Sequence, residues 1–393
     1  MELYYSPTNK TWFHHQKEVG YFIGSNQIPV SYRQAENNES IMNFHVRKKG
    51  KKLGPFIGIL VQETPKGTIP LDFQLAERLA KEAFSKGGVV GLLPLGKWKN
   101  PFWEGYLFDN RRKIWVKGLF PFPDLFYNRI AKRKTEESPL FSDTFQASQT
   151  KGVPFFNPKF FDKYEIYLLL KESPELLSYL PETIFIKEKR ELQSFLHRHK
   201  TIYLKPANHF KGSGVMVCKL LDKGIVVRNF QEKSFFSSFD SFWFTLKPTF
   251  QRFPYIAQKA IFPKKLKGRR YDFRVLAQLV QNRFKVTGIG VRWSAEHNIT
   301  THIPRGGRLL PYELFKNENL DAQIYGLVQK TGEKLIEKYG FVGEFTIDLG
   351  IDKKGEMKIF EVNSKPMSFD EKEIDRARIK HLYELFLHMT NFL

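Results

Sequence analysis

Three oxygen-bearing side chains near the end of the sequence, Asp348, Glu361 and Asn363, have the types and spacing to do metal chemistry. They lie in two runs, 343–350 and 358–366, that alternate apolar and polar residues as half-buried strands do. Asp352-Lys353-Lys354-Gly355 joins the runs as a hairpin turn. Centring that turn on Lys353 and Lys354 sets Asp348 opposite Ile359 and diagonal to Glu361. Period two then carries Glu361 and Asn363 to the same face as Asp348. Oxygen donors gathered on one rigid face, with no Cys or His, suit Mg²⁺ bound to a nucleotide. An exposed hairpin with acidic residues on its solvent face is the competing reading.

The chain upstream offers groups that could handle the phosphates of such a nucleotide. Lys205 sits on a short apolar run, 202–206, followed by a loop containing Gly212-Ser213-Gly214 and a returning strand at 215–217. Glycines let backbone approach phosphates and lysines counter their charge. The loop lacks the Gly-x-x-x-x-Gly-Lys-Ser/Thr spacing of a Walker A motif, and a surface hairpin would read the same way. Arg274 belongs to an antiparallel hairpin that runs from Arg269 through Gln281-Asn282 to Arg292. Arginine grips phosphate bidentately and stays charged, although Asp272 and Arg274 could equally form a surface ion pair.

The elements that must position these groups can be read in order. Residues 1–50 mix aromatic and polar types as a strand-rich extension, and 51–145 form an α/β half-domain. Within it, a strand at 55–61, a helix from Asp72 to Lys86 and a strand at 89–93 make a parallel pair. No Gly-x-Gly-x-x-Gly accompanies them. A hairpin over 102–119 follows, and the polar stretch 132–154 reads as the domain boundary. Helices are expected at 162–170, 187–199, 331–339 and 372–392, the third with Leu335 and Ile336 inward.

Composition narrows the class. A chain of 393 residues, 41% hydrophobic and 15% aromatic, is long enough for two or three globular domains. No run approaches the roughly 18 apolar residues of a membrane span. Met1-Glu2-Leu3-Tyr4-Tyr5 has no basic or apolar leader character, and Cys218 is the sole cysteine. A cytoplasmic location is therefore expected. The net charge of +22 attracts polyanions, but the basic runs are short and scattered, and no nucleic-acid-binding signature accompanies them.

Asp348, then Glu361-x-Asn363-x-x-Pro366, resembles the metal-binding end of the ATP-grasp fold, and the wording of the two strands is most similar to its YheC/YheD branch of endospore coat-associated proteins. The resemblance covers roughly 155–393. It implies an α+β fold in which 150–393 forms the ATP-grasp domain, divided near 262. It also implies ATP and one or two Mg²⁺ ions (Mn²⁺ as the alternative) held by Asp348, Glu361 and Asn363. Lys163 and Lys205 match the family lysines, Gly212, Ser213 and Gly214 the phosphate-covering loop, and Gln258, Lys259, Ala260 and Ile261 the segment that holds adenine. Arg274 and Arg292 match the groups that meet phosphoryl oxygens, and Arg305-Gly306-Gly307 matches a loop near the substrate. His209, Phe210 and Lys211 depart from the small residues frequent in that loop, and Gln258 from a frequent acid. The implied activity is ATP-dependent joining of a carboxylate, acidic or peptide-like, to an amine, with spore-coat proteins as partners. A poorly active spore-coat structural protein and a basic polyanion-binding module are the alternatives.

Overall fold

The computed structural model describes residues 1–34, 41–208, 214–295 and 306–393. At the N-terminus, two four-stranded sheets pack aromatic residues such as Tyr5, Trp12 and Tyr21 inward. The expected parallel pair follows as β1 (Phe56–Val61), α1 (Phe73–Lys86) and β2 (Val89–Pro94). Asp72 caps α1 by accepting from the Leu75 N–H, and Leu75, Leu79 and Ala83 form its buried stripe. A hairpin, β3 (Phe102–Asp109) and β4 (Ile114–Pro121), joins the same seven-stranded sheet with β5 (Leu125–Asn128).

The polar stretch 132–154 holds a helix, α2 (Pro139–Thr150). Ser138 caps it and Pro139 opens it, while few of its residues are buried, so no apolar stripe announced it. After it, β6 (Phe155–Phe156) rejoins the sheet beside β5. Next come α3 (Lys163–Lys171) and a six-stranded sheet in the order β7-β12-β8-β9-β10-β11. Its members are β7 (Thr183–Phe185), β8 (Thr201–Pro206), β9 (Met216–Leu221), β10 (Gly224–Arg228), β11 (Lys233–Phe236) and β12 (Tyr255–Lys259). Helix α4 (Lys189–His199) covers it with Leu192, Phe195 and Leu196, and α5 (Phe239–Arg252) adds Phe239 and Phe242.

A second six-stranded sheet contains β13 (Arg269–Val280), β14 (Arg283–Trp293), β15 (Arg308–Leu310), β16 (Glu344–Ile351) and β17 (Met357–Asn363), in the order β15-β14-β13-β16-β17. Phe273, Val275, Ile347 and Leu349 on one face pack against α6 (Glu318–Tyr339). That helix begins thirteen residues before the expected Thr331, under an Asn317 cap, and Ile336 is 37% exposed rather than inward. Finally α7 (Lys372–Met389) returns across the chain, burying Leu382, Tyr383 and Phe386 beside α1 and β1.

Candidate functional site

The hairpin β16–β17 shows how the sequence builds the site. Asp348 pairs directly with Glu361, not with Ile359 as a regular register from the turn would give, and Thr346 pairs with Asn363. A bulge between Asp348 and Leu349 leaves Phe360 as the extra residue. Gly350 allows this, since a Cβ there would lie 2.2 Å from the Phe360 ring. Both routes place the three oxygen donors on one face, and the bulge brings the two carboxylates opposite one another.

That row continues across the sheet. Arg274 pairs with Asp348 on one side and Gly290 on the other, and Asp272 pairs with Arg292. Register partners share a face, so Arg274, Arg292, Asp272, Asp348 and Glu361 project together. Arg292 donates through Nε to Asp272 Oδ1 at 2.8 Å and lies 2.9 Å from Asp348 Oδ2. Burial works to lower its pKa, but the Asp348 and Asp272 carboxylates outweigh burial and raise it. Arg274 carries a buried Nε that finds no hydrogen-bond partner among the described residues, and burial pushes its pKa down.

The opposing sheet supplies two more groups. Lys205 Nζ donates to Gln258 Oε1 at 2.6 Å, and Gln258 Nε2 donates to Thr183 Oγ1 at 3.0 Å. Burial pushes Lys205 down to about 8, against the pull of Glu361. Lys163 reaches Glu361 at 3.0 Å from the first position of α3, fixed there because Asp162 caps the helix. Lys163, Lys205, Gln258, Phe360 and Glu361 thus line one cleft between the sheets, whose apolar wall includes Tyr167 and Leu180.

Not every expected residue joins that cleft. Lys259 and Ala260 donate their backbone N–H groups to Glu182 and Thr201 carbonyls, and Ile261 follows them outside its lining. Gly214 sits under the Tyr255 hydroxyl, which donates to its carbonyl at 3.1 Å. Gly212, Ser213, Lys211 and Arg305 lie outside the described residues. Sequence reasoning also missed Thr183, which fixes the Gln258 amide, and the wall residues Tyr167 and Leu180.

The donor set can be judged for metal. Among the described residues no three His, Cys, Asp or Glu cluster as a metal site. Two facing carboxylates and an amide nonetheless fit Mg²⁺, which takes one or two carboxylates and leaves its other positions to water and phosphate oxygens. The carboxylates now meet Lys163 and Arg292, so charge in the row is already balanced.

Residues 152–393 match the model of the YheC/D like ATP-grasp family. The chain belongs to that family. Endospore coat-associated protein YheD of Bacillus subtilis (strain 168) is 27% identical over 333 residues, spanning 80% of this chain and 73% of YheD. YheC of the same organism is 24% identical over 277 residues, spanning 66% of this chain and 75% of YheC. Two solved structures share the fold. D-alanyl-alanine synthetase A of Vibrio cholerae matches with TM-score 0.51 and 12% identity, over 86% of this chain and 98% of that one. VanG D-Ala:D-Ser ligase of Enterococcus faecalis matches with TM-score 0.51 and 11% identity, over 86% and 99%. These confirm the α+β ATP-grasp fold expected from the sequence. No helix among the described residues is long and apolar enough to cross a membrane.

Proposed function

We propose that this chain is an ATP-dependent ligase that joins a carboxylate to an amine through an acyl phosphate. The observation that carries the reading is the cleft that gathers Lys163, Lys205, Gln258 and Glu361, with Asp348, Arg274 and Arg292 on the same sheet face as Glu361. Adenine rests on the apolar wall and the phosphates lie between the two lysines. Gln258 supports this, because its amide holds Lys205 in place without neutralising it, leaving that charge for phosphate.

The substrate carboxylate attacks the γ-phosphorus; the bond to the β–γ bridging oxygen breaks and ADP leaves. The amine then attacks the acyl carbon, loses a proton and releases phosphate. Arg274 and Arg292 meet the phosphoryl oxygens, with Arg292 aimed by its two carboxylates. One or two Mg²⁺ ions, or Mn²⁺, held by Asp348, Glu361 and Asn363, would supply charge neutralisation for phosphoryl transfer. We also propose the division at 1–50, 51–145 and 150–393, with a subdomain boundary near 262. A cytoplasmic site of action and association with spore-coat proteins complete the reading, on the likeness to YheD and YheC.

The test is ADP and phosphate formation by the purified protein with MgATP, alone and with carboxylate co-substrates. Polyglutamate and wall peptides come first, since the +22 charge favours polyanions. Slow turnover alone and faster turnover with an acceptor support the ligase. Rapid hydrolysis without acceptor points to an ATPase, and tight MgATP binding with no turnover to a structural coat protein. Binding to polyanions that ignores MgATP and fades with salt would favour a basic docking module.

A further inference from the structure

Gly288 and Gly290 stand two apart on β14, on the face that carries Arg274 and Asp348. Glycines inside a strand mark a place where something comes close. Here it is the start of α7. A Cβ on Gly288 would lie 2.3 Å from Ile374 Cγ2, and one on Gly290 2.6 Å from Glu371 Oε1. The helix is held in this position by Arg378, which donates to Glu344 at 2.7 and 2.9 Å and to the Pro366 carbonyl at 2.9 Å. Glu371 is therefore delivered to the edge of the reactive row by a rigid element.

Its side chain does not serve the helix. Glu371 occupies the N-cap position without making a side-chain capping bond, and Oε1 is buried with no hydrogen-bond partner among the described residues. Such a buried acceptor is costly. The other acidic groups of the face are engaged by cations: Asp348 and Asp272 by Arg292, Glu361 by Lys163. Arg274, the nearest register position, turns its guanidinium over the Phe369 ring at 5.1 Å. Burial pushes the Glu371 carboxyl up, which its own backbone N–H and then Arg274 and Arg292 oppose.

We propose that Glu371 receives the primary ammonium of the acceptor. An ammonium approaching this row meets Arg274, Arg292 and the positive end of α7, with Lys163 beyond them on Glu361, all of which repel it. A carboxylate oxygen already stripped of water offers it a charge-assisted hydrogen bond. The inference rests on the ligase reading and names the class of its second substrate as a primary amine.

The experiment first loads the protein with Mg²⁺ and a non-hydrolysable ATP analogue, then titrates putrescine, with 1,4-butanediol as the uncharged match, by ligand-observed NMR. Putrescine is expected to bind the wild type, and to bind Glu371→Gln about tenfold more weakly, the scale of a lost hydrogen bond to a charged group. Gly290→Ala keeps the charge but displaces the carboxylate, and should weaken putrescine similarly. Analogue affinity should be the same in all three proteins, and butanediol should bind none. Equal putrescine affinity in wild type and Glu371→Gln, or none in the analogue-loaded wild type, would overturn the proposal alone. Failure of the analogue to bind the wild type would instead overturn the ligase reading beneath it.

Discussion

Nucleotide affinity should depend on pH through Lys205. Its Nζ is buried against the Gln258 amide, which leaves the lysine at about 8 when no phosphate is near. Nucleotide phosphates restore the favourable surroundings of the ammonium, so the complex binds the proton more tightly than the free protein. About a tenth of the free protein has a neutral lysine at pH 7 and about nine tenths at pH 9. Affinity should therefore fall roughly tenfold between those values, ~1.4 kcal/mol, with the change centred near the folded pKa. Calorimetric titration of the Mg-analogue complex at pH 7, 8 and 9, in two buffers of different ionisation heat, measures both affinity and proton uptake. About half a proton should be taken up per nucleotide near pH 8. Lys205→Arg stays charged across this range and should flatten the profile. Affinity that is constant from pH 7 to 9 in the wild type would refute the placement of Lys205 against the phosphates.

Stability should respond sharply to the pair that orients α7. Glu344→Gln leaves the fully buried Arg378 guanidinium without its carboxylate, and should cost about 3–5 kcal/mol in denaturant unfolding. A loss under about 1 kcal/mol would mean that water reaches the pair. Leu382→Ala, at a position with 0% exposure beside α1, should cost about 2–5 kcal/mol by the same measurement. An unchanged midpoint there would show that α7 is not docked on the α/β half.

Much of this arrangement was legible in the sequence because local patterns agree with the fold. Asp72 and the Leu75, Leu79, Ala83 stripe announce α1, and uninterrupted apolar strands on either side announce a parallel pair. The alternation around Asp348 and Glu361 marks the site hairpin, and the order of lysine strand, arginine hairpin and Glu-x-Asn motif marks the family. The bulge at Phe360 was hidden, since whether a ring can fold over Gly350 is settled by space between strands. Helix α2 was hidden for the opposite reason, an exposed surface with almost no buried stripe. Glu371 left one readable trace, the Gly288-x-Gly290 spacing on a strand, but what fills that space, Ile374 and Glu371, comes from far along the chain.

The central claim is that Asp348 and Glu361 hold the metal of a bound nucleotide. Titration of a non-hydrolysable ATP analogue, with and without Mg²⁺, into wild type, Asp348→Asn and Glu361→Gln tests it directly. The wild type should bind more tightly with Mg²⁺. Each variant should stay folded by circular dichroism and lose most of that metal-dependent gain. Variants that keep the wild-type Mg²⁺ dependence would contradict the assignment of these carboxylates to metal.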